Sequence, residues 1–318
     1  MSYITNFSLL DAYLSTRSVL WLDPSDDFAV LKDSSNFVQN AYNKSSNSLL
    51  KNFKRGKQGS SSGITIGNYT NQKGQALKYL SFNGQSYLES QWDYSYDNNT
   101  IYVVFTVNQV TNAYQSLIGH KRDWEYRAGG ATNFRGFMRY KPLNAAAGAW
   151  AEYRHDRTYS LSNYKGPNPI NVSQGWHLLS IRFAGGMISF SIDGEVEEFL
   201  PTQFNPPTFR RTPNNATKVP STSLKSTITD DYDSSESYLR EANVFHNSRR
   251  FIAAQNTKGN EPDISDETYW YPSQLSICAN HKQTQKLKAD IAEMICIPTT
   301  DINPVANYLI KKWDIERA

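Results

Sequence analysis

Between Trp176 and Phe199 the sequence alternates with a period of two and breaks twice, at Gly185-Gly186 and at Asp193-Gly194. Leu179, Ile181 and Phe183 share one side of the first run; Ile188, Phe190 and Ile192 alternate with Met187, Ser189 and Ser191 in the second. Successive side chains of a strand point to opposite faces, so this pattern marks half-buried strands. The Gly-Gly and Asp-Gly pairs suit two-residue hairpin turns, whose central residues need positive φ. The segment predicts a three-stranded antiparallel meander. The same period recurs in Thr100–Val107, where Ile101, Val103, Phe105 and Val107 share a face. Further strands are expected at Val19–Leu22, Leu77–Phe82, Tyr87–Glu89, Gln115–Gly119, Arg135–Tyr140, Leu275–Ala279 and Asp290–Ile297.

Only the two ends carry helical spacing. Phe7, Leu10, Tyr13 and Leu14 lie on one stripe of Asn6–Leu14. In Asp301–Trp313, Asn303 is a cap candidate and Pro304 suits the first helical position, ahead of the stripe Val305, Tyr308, Leu309 and Trp313. Two stretches lack periodicity. Residues 40–63 are rich in Ser, Asn and Lys; residues 201–272 hold seven prolines and the acidic cluster Asp230, Asp231 and Asp233. Strand signals resume at Leu275, so 201–272 reads as a long irregular insertion within one domain spanning 1–318, with a small subdomain as the alternative. The 20 Tyr, 15 Phe and 7 Trp can bury a sizeable core, which a disordered chain could not. Short antiparallel strands with turn signals point to an all-β sandwich or jelly roll.

The charge balance narrows the partners. A formal net charge of +3 gives no strong pull toward nucleic acid or an anionic bilayer. The densest basic run, Lys51, Lys54, Arg55 and Lys57, holds one aromatic, Phe53, and reads as a solvated loop. There is no run of about 18 apolar residues that could span a membrane. Met1–Leu10 has no basic n-region or apolar h-region, so no secretory signal is expected. Cys278 and Cys296 are too few for a disulfide scaffold and read as buried free thiols.

Four segments, in order, resemble the concanavalin A-like lectin/glucanase family, the laminin-G-like jelly rolls found in phage virion and bacterial surface proteins. Val19-Leu20-Trp21-Leu22-Asp23-Pro24-Ser25-Asp26 is similar to that family's opening strand. Leu80 to Leu88, with Phe82, Gly84 and Tyr87, is similar to its hairpin. Trp176-His177-Leu178-Leu179 through Ile192-Asp193-Gly194 is similar to its central meander. Ala289–Met294 and Tyr308–Trp313 are similar to its closing strand and helix, with Lys288 and Ala289 where the family pattern carries Gly. The resemblance implies a two-sheet jelly-roll sandwich with short N- and C-terminal helices, in which Trp21, Phe82, Trp176 and Trp313 are core residues. It also implies a frequent homo-oligomer, a trimer in fibre and decoration proteins. The family spans glycan binding, glycan hydrolysis and structural roles, among which fold cannot choose.

The residues weigh against hydrolysis. A glycosidase of this fold needs paired acids on alternate positions of one strand. The nearest match, Glu261-Pro262-Asp263-Ile264-Ser265-Asp266-Glu267, is broken by Pro262 and lies in the insertion. Gly59-Ser60-Ser61-Ser62-Gly63 lacks the strand and helix that a nucleophile elbow requires. His120, His155, His177, His246 and His281 show no metal-ligand spacing. No cofactor is expected. Calcium alone stays open, through Asp23, Asp26 and Asp27 or through Asp230, Asp231 and Asp233; capped turns or solvated acids are the plainer reading.

What remains are aromatic–polar clusters. Trp92, Tyr94 and Tyr96; Trp124, Tyr126 and Arg127; and Tyr153 with His155 pair rings for stacking on sugar C–H faces with polar groups for hydroxyls. These eight are the candidate ligand-binding residues. A protein interface would use the same residue types. The expectation is a non-enzymatic recognition or structural protein: a phage virion component such as a fibre, receptor-binding or capsid decoration protein, otherwise a cell-surface or extracellular one. Its partners would be a surface glycan or other virion proteins. A glycan hydrolase on the same fold and a purely structural virion protein are the alternatives.

Overall fold

The computed structural model describes residues 13–45, 52–56, 63–90, 98–109, 115–120, 124–128, 133–140, 151–154, 170–171, 175–184, 187–193, 195–198, 231–238, 243–247, 249–253, 255–263, 268–272, 275–279, 286–298 and 302–316. Two antiparallel sheets make a sandwich, so the fold is all-β as expected. The first sheet contains β1 (Leu20–Leu22), β5 (Thr65–Thr70), β6 (Ala76–Asn83), β8 (Asn99–Gln109), β14 (His177–Ala184), β15 (Met187–Ile192), β16 (Glu195–Glu198) and β23 (Lys288–Pro298). Its order is β16-β15-β14-β8-β23-β6-β5, with β1 also paired to β23. The second contains β2 (Val30–Lys32), β3 (Val38–Tyr42), β4 (Asn52–Arg55), β7 (Leu88–Ser90), β9 (Ser116–His120), β10 (Trp124–Ala128), β11 (Asn133–Tyr140), β12 (Ala151–Arg154), β13 (Ile170–Asn171) and β22 (Leu275–Ile277). Its order is β12-β11-β10-β9-β22-β7-β4-β3-β2, with β13 on β11.

The meander forms as its alternation dictates, β14 pairing β15 and β15 pairing β16. Leu179, Ile181, Phe183, Phe190 and Ile192 enter the core between the sheets, alongside Ile101, Val103 and Phe105 of β8. Strand β22 stops at Ile277, short of the expected Ala279, because Cys278 turns the chain at φ 59°. Where the family pattern carries Gly, the chain has a register shift between Lys288 and Ala289. Residues 13–17 are helical; the rest of the expected N-terminal helix lies outside the described residues. The C-terminal helix runs Ile302–Lys312. Leu178 of β14, Tyr102 and Val104 of β8, and Ala292 and Ile295 of β23 form a second apolar layer with its Val305, Leu309 and Trp313. This helix thus covers part of the outward face of the eight-stranded sheet.

The insertion corrects the sequence reading. Residues 201–230 lie outside the described set, but 231–272 is not irregular. It holds β17 (Ser237–Tyr238) paired with β20 (Thr257–Lys258), and a three-stranded sheet of β18 (Asn243–His246), β19 (Arg249–Ala253) and β21 (Trp270–Pro272). Its own apolar cluster joins Tyr238, Val244, Phe251, Ala253 and Trp270. Residues 40–63 likewise carry the end of β3 and all of β4.

Candidate functional site

The opening and closing segments of the family resemblance converge on one buried constellation. Lys312 Nζ lies 2.7 Å from Glu293 Oε2 and 3.2 Å from Asp23 Oδ2, and it donates to Tyr308 Oη at 3.0 Å. Trp21 Nε1 donates to Glu293 Oε1 at 2.8 Å, and Trp313 Nε1 to Oε2 at 3.1 Å. Lys44 closes the cluster, 3.3 Å from Asp23 Oδ2 with its ammonium 4.1 Å from the Trp21 ring centroid. Burial raises the Glu293 carboxyl above its ordinary range, and Lys312 offsets only part of that. Burial acts the same way on Asp23, but Lys312 and Lys44 together outweigh it and hold that carboxyl low. These acids pin the C-terminal helix to the sheet. They are engaged by lysines and indoles.

The ten-stranded sheet presents a different outward face. Leu88, Ile118, Tyr126, Leu275 and Ile277 all enter the inter-sheet core. The alternate positions Glu89, Gly119 and Ser276 therefore lie on the other side. Register strings them into one row: Lys54 opposite Glu89, Glu89 opposite Ser276, Ser276 opposite Gly119, and Gly119 opposite Glu125. A bulge at Leu117 shifts the next pairing, so that Arg127 stands opposite Ser116. The Ser116 and Ser276 hydroxyls are sealed from solvent and have no hydrogen-bond partner. Glu89 is 5% exposed. Tyr87 lies flat over Gly56, where an added Cβ would fall 1.8 Å from Tyr87 Cζ. The Lys286 ammonium sits 5.5 Å from the centroid of the Tyr87 ring, and burial pulls its pKa below the ordinary value. Buried polar groups are normally satisfied, so two unpaired hydroxyls in one polar strip call for a partner.

The eight sequence-predicted residues divide. Trp92, Tyr94, Tyr96 and His155 lie outside the described residues. Trp124, Tyr126 and Arg127 occupy β10, and Tyr153 occupies β12. Trp124 and Tyr153 stand in one register row, each opposite Met138 of β11. Tyr126 is a correction. It is 1% exposed and packs against Phe190 of the opposite sheet, centroids 5.4 Å apart, so it serves the core and not a ligand. Arg127 takes its place opposite Ser116 beside the polar strip. Sequence reading missed Glu89, Ser116 and Ser276. Their signal is weak: Ser276 lies between Leu275 and Ile277, and Glu89 and Ser116 each have one apolar neighbour, which every half-buried strand shows.

Other candidates resolve into structure. Trp21, Phe82 and Trp313 are buried core residues as expected, whereas Trp176 is half-buried. Asp26 holds Lys44 at 3.2 Å and Asp27 holds Lys78, so the first acidic run is spent on lysines. Asp233 accepts from Ser235 N at 2.8 Å in a turn. Among the described residues no group of three or more His, Cys, Asp or Glu could hold a metal. Glu261 pairs with His246 at 2.9 Å, and residues 261–263 form no strand. His177 Nδ1 lies 2.6 Å from Asp193 Oδ2, while Asp193 Oδ1 accepts from Leu178 N at 2.8 Å, bracing the turn between β15 and β16. Cys278 and Cys296 are buried thiols that form no disulfide. No helix among the described residues is long and apolar enough to cross a membrane.

No family model matches this sequence, and no curated protein does. Several solved β-sandwich structures are similar in fold. Domain 4 of AbnA, a GH43 extracellular arabinanase from Geobacillus stearothermophilus solved with arabinotriose, is 13% identical with a TM-score of 0.41, over 89% of this chain and 93% of that one. The binding domain of botulinum neurotoxin serotype D is 11% identical with a TM-score of 0.39, over 94% of this chain and 52% of that one. Trypanosoma rangeli sialidase in complex with sialic acid is 8% identical with a TM-score of 0.39, over 96% of this chain and 37% of that one. This chain thus spans about half of the toxin domain and just over a third of the sialidase. Likenesses this distant carry no functional weight.

Proposed function

We propose that this protein is a non-catalytic, glycan-binding recognition module of the concanavalin A-like type, and that it works as a component of a phage virion. The observation that carries the binding reading is the asymmetry of the two outward sheet faces. One is covered in part by the apolar face of the C-terminal helix. The other carries Lys54, Glu89, Ser276 and Gly119 in a single row beside Ser116. A polar strip with unpaired hydroxyls suits a hydroxyl-rich ligand, which would enter from the exposed Lys54 end because Glu89, Ser276, Gly119 and Ser116 are themselves buried.

Binding without hydrolysis is supported by where the acids stand. Glu89 is 5% exposed and stands opposite Lys54 and Ser276, with no second acid in either pairing. The acids that do approach closely, Asp23 and Glu293, are clamped on Lys312. The virion assignment and a homo-oligomeric state rest on the family resemblance of the four segments.

A glycan array followed by calorimetry on the best hit tests the binding. Ser276→Ala and Glu89→Gln should weaken the hit by roughly tenfold or more while the fold survives. Array silence, or reducing sugar released from the hit, would reject the reading. Immunogold labelling of purified particles tests the virion assignment, and light scattering in solution tests the oligomer.

A further inference from the structure

One patch on the outward face of the eight-stranded sheet carries more than core packing explains. Register aligns Ser81, Asp290 and Thr106 across β6, β23 and β8. His177 pairs with Phe105, which brings Trp176 level with Thr106 on the next strand. Ala289 and Ile291 enter the inter-sheet core, so Asp290 points outward between them. Tyr79 stands one row away on β6, and its ring centroid is 5.2 Å from that of Trp176 at 69°. Tyr69 meets the same indole at 5.8 Å and 76°. Gly67 makes the arrangement possible: a Cβ there would fall 2.1 Å from Tyr79 Cζ, so the ring lies flat on the edge strand. All three rings are half-buried and keep surface toward solvent.

Asp290 is 8% exposed, and its Oδ1 has no hydrogen-bond partner. Among the described residues no ion pair reaches it, although the exposed Lys288 lies two residues away. Its charge bears on Tyr79, whose phenol is raised by burial and then by Asp290. A second negative charge borders the aromatic patch: Asp314 accepts from Tyr69 Oη at 2.9 Å. A buried carboxylate oxygen without a partner is costly, and electron-rich ring faces attract cations. A cation with apolar substituents would answer both, its charge on Asp290 and its carbons on the rings.

We propose that Asp290, Tyr79, Trp176 and Tyr69 form a binding site for an alkylammonium group, on the sheet opposite the glycan strip and independent of it. A quaternary ammonium headgroup and the free amine of an amino sugar share that chemistry, and the test separates them. The full chain is titrated with choline chloride and, separately, with glucosamine hydrochloride, following tryptophan fluorescence and calorimetric heat. 3,3-Dimethylbutan-1-ol and N-acetylglucosamine serve as the uncharged counterparts. At least one cation should saturate, and its uncharged counterpart should bind roughly tenfold or more weakly. Saturation by choline alone assigns a headgroup; saturation by glucosamine alone assigns an amino sugar.

Asp290→Asn keeps the shape and should reduce the cation to the level of its uncharged counterpart. Trp176→Phe, which keeps an aromatic ring, should weaken binding without abolishing the fold. Ser276→Ala, on the other sheet, should leave the titration unchanged whatever it does to glycan binding. The site does not exist if neither cation saturates, if the uncharged counterparts bind equally, or if a folded Asp290→Asn protein binds like the parent.

Discussion

Lys312 and Glu293 meet at 2.7 Å with neither side chain more than 9% exposed, one on the C-terminal helix and the other on β23. The pair is the centre of a cluster that also takes in Asp23, Tyr308 and two indole N–H groups. Removing one partner of such a pair strands the other in the interior, which costs about 3–5 kcal/mol. Lys312→Met should therefore lower stability by about that much in urea unfolding. Adding Glu293→Gln should recover part of the loss, because the amide oxygen still accepts from an indole and carries no charge. A Lys312→Met protein that unfolds at the parent midpoint would mean the helix is held by its apolar stripe alone.

Two glycines should respond unequally to a methyl group. A Cβ at Gly56 would lie 1.8 Å from Tyr87, which is 1% exposed and cannot move aside. A Cβ at Gly67 would lie 2.1 Å from Tyr79, a half-buried ring at the sheet edge that can swing outward. Gly56→Ala is expected to cost about 1–3 kcal/mol. Gly67→Ala should stay within about 1 kcal/mol, and should instead report through altered tryptophan fluorescence as Tyr79 leaves Trp176. Equal losses at the two positions would contradict the packing described.

Asp193 combines a left-handed backbone, φ 51°, with two side-chain bonds to the start of β14. Asp193→Ala removes both bonds and places a residue ill-suited to that conformation in the turn. About 2–3 kcal/mol of stability should go. Asp193→Asn tolerates the backbone and keeps the acceptor for Leu178 N, so its loss should be about 1 kcal/mol. Thermal unfolding of both variants decides the point; an alanine variant as stable as the asparagine one would show that the turn does not depend on this side chain.

Alkaline pH should unfold the protein early. Burial and then its bond to Asp314 push the Tyr69 phenol from 10.0 up to about 12. Tyr102 and Tyr308 are raised further, chiefly by burial. A phenol raised in the folded state favours folding fully below its unfolded value and loses that contribution as pH climbs toward the folded one. Lys312, held above its ordinary value because Glu293 and Asp23 outweigh its burial, has the same sign. Urea midpoints should hold steady up to pH 10.0 and fall between there and about 12, and Tyr69→Phe should flatten that fall. A midpoint flat to pH 12 in the parent would refute the assignment.

Cys278 is fully buried, and burial followed by the Asp290 charge drives its thiol well above the usual range. The thiolate is the reactive form. A thiol reagent should label Cys278 and Cys296 in the folded protein only at the rate of opening, and promptly in denaturant. Fast labelling under native conditions would place one of them at the surface.

The layers were legible in the local pattern. Alternation in Trp176–Phe199 and Thr100–Val107 wrote the strands directly, because strand geometry repeats every two residues and any buried face must repeat with it. The apolar stripe of the C-terminal helix was equally local, although the helix begins at Ile302, ahead of the expected cap Asn303. The strands of 231–272 were not legible: they are two to five residues long, too short to show a period, and prolines interrupt the stretch.

Only the tertiary structure decided what individual side chains do. Tyr126 looked like a ligand contact and became core, because the hydrogen-bonded register of β10 on β9 turned it toward Phe190. The bulge at Leu117 brought Ser116 opposite Arg127. Asp23 found Lys312, 289 positions away, and ceased to be a free carboxylate. Backbone periodicity is a local property that sequence carries openly. Which face meets the core, and which charge meets which, depends on pairings between distant strands that no local pattern encodes.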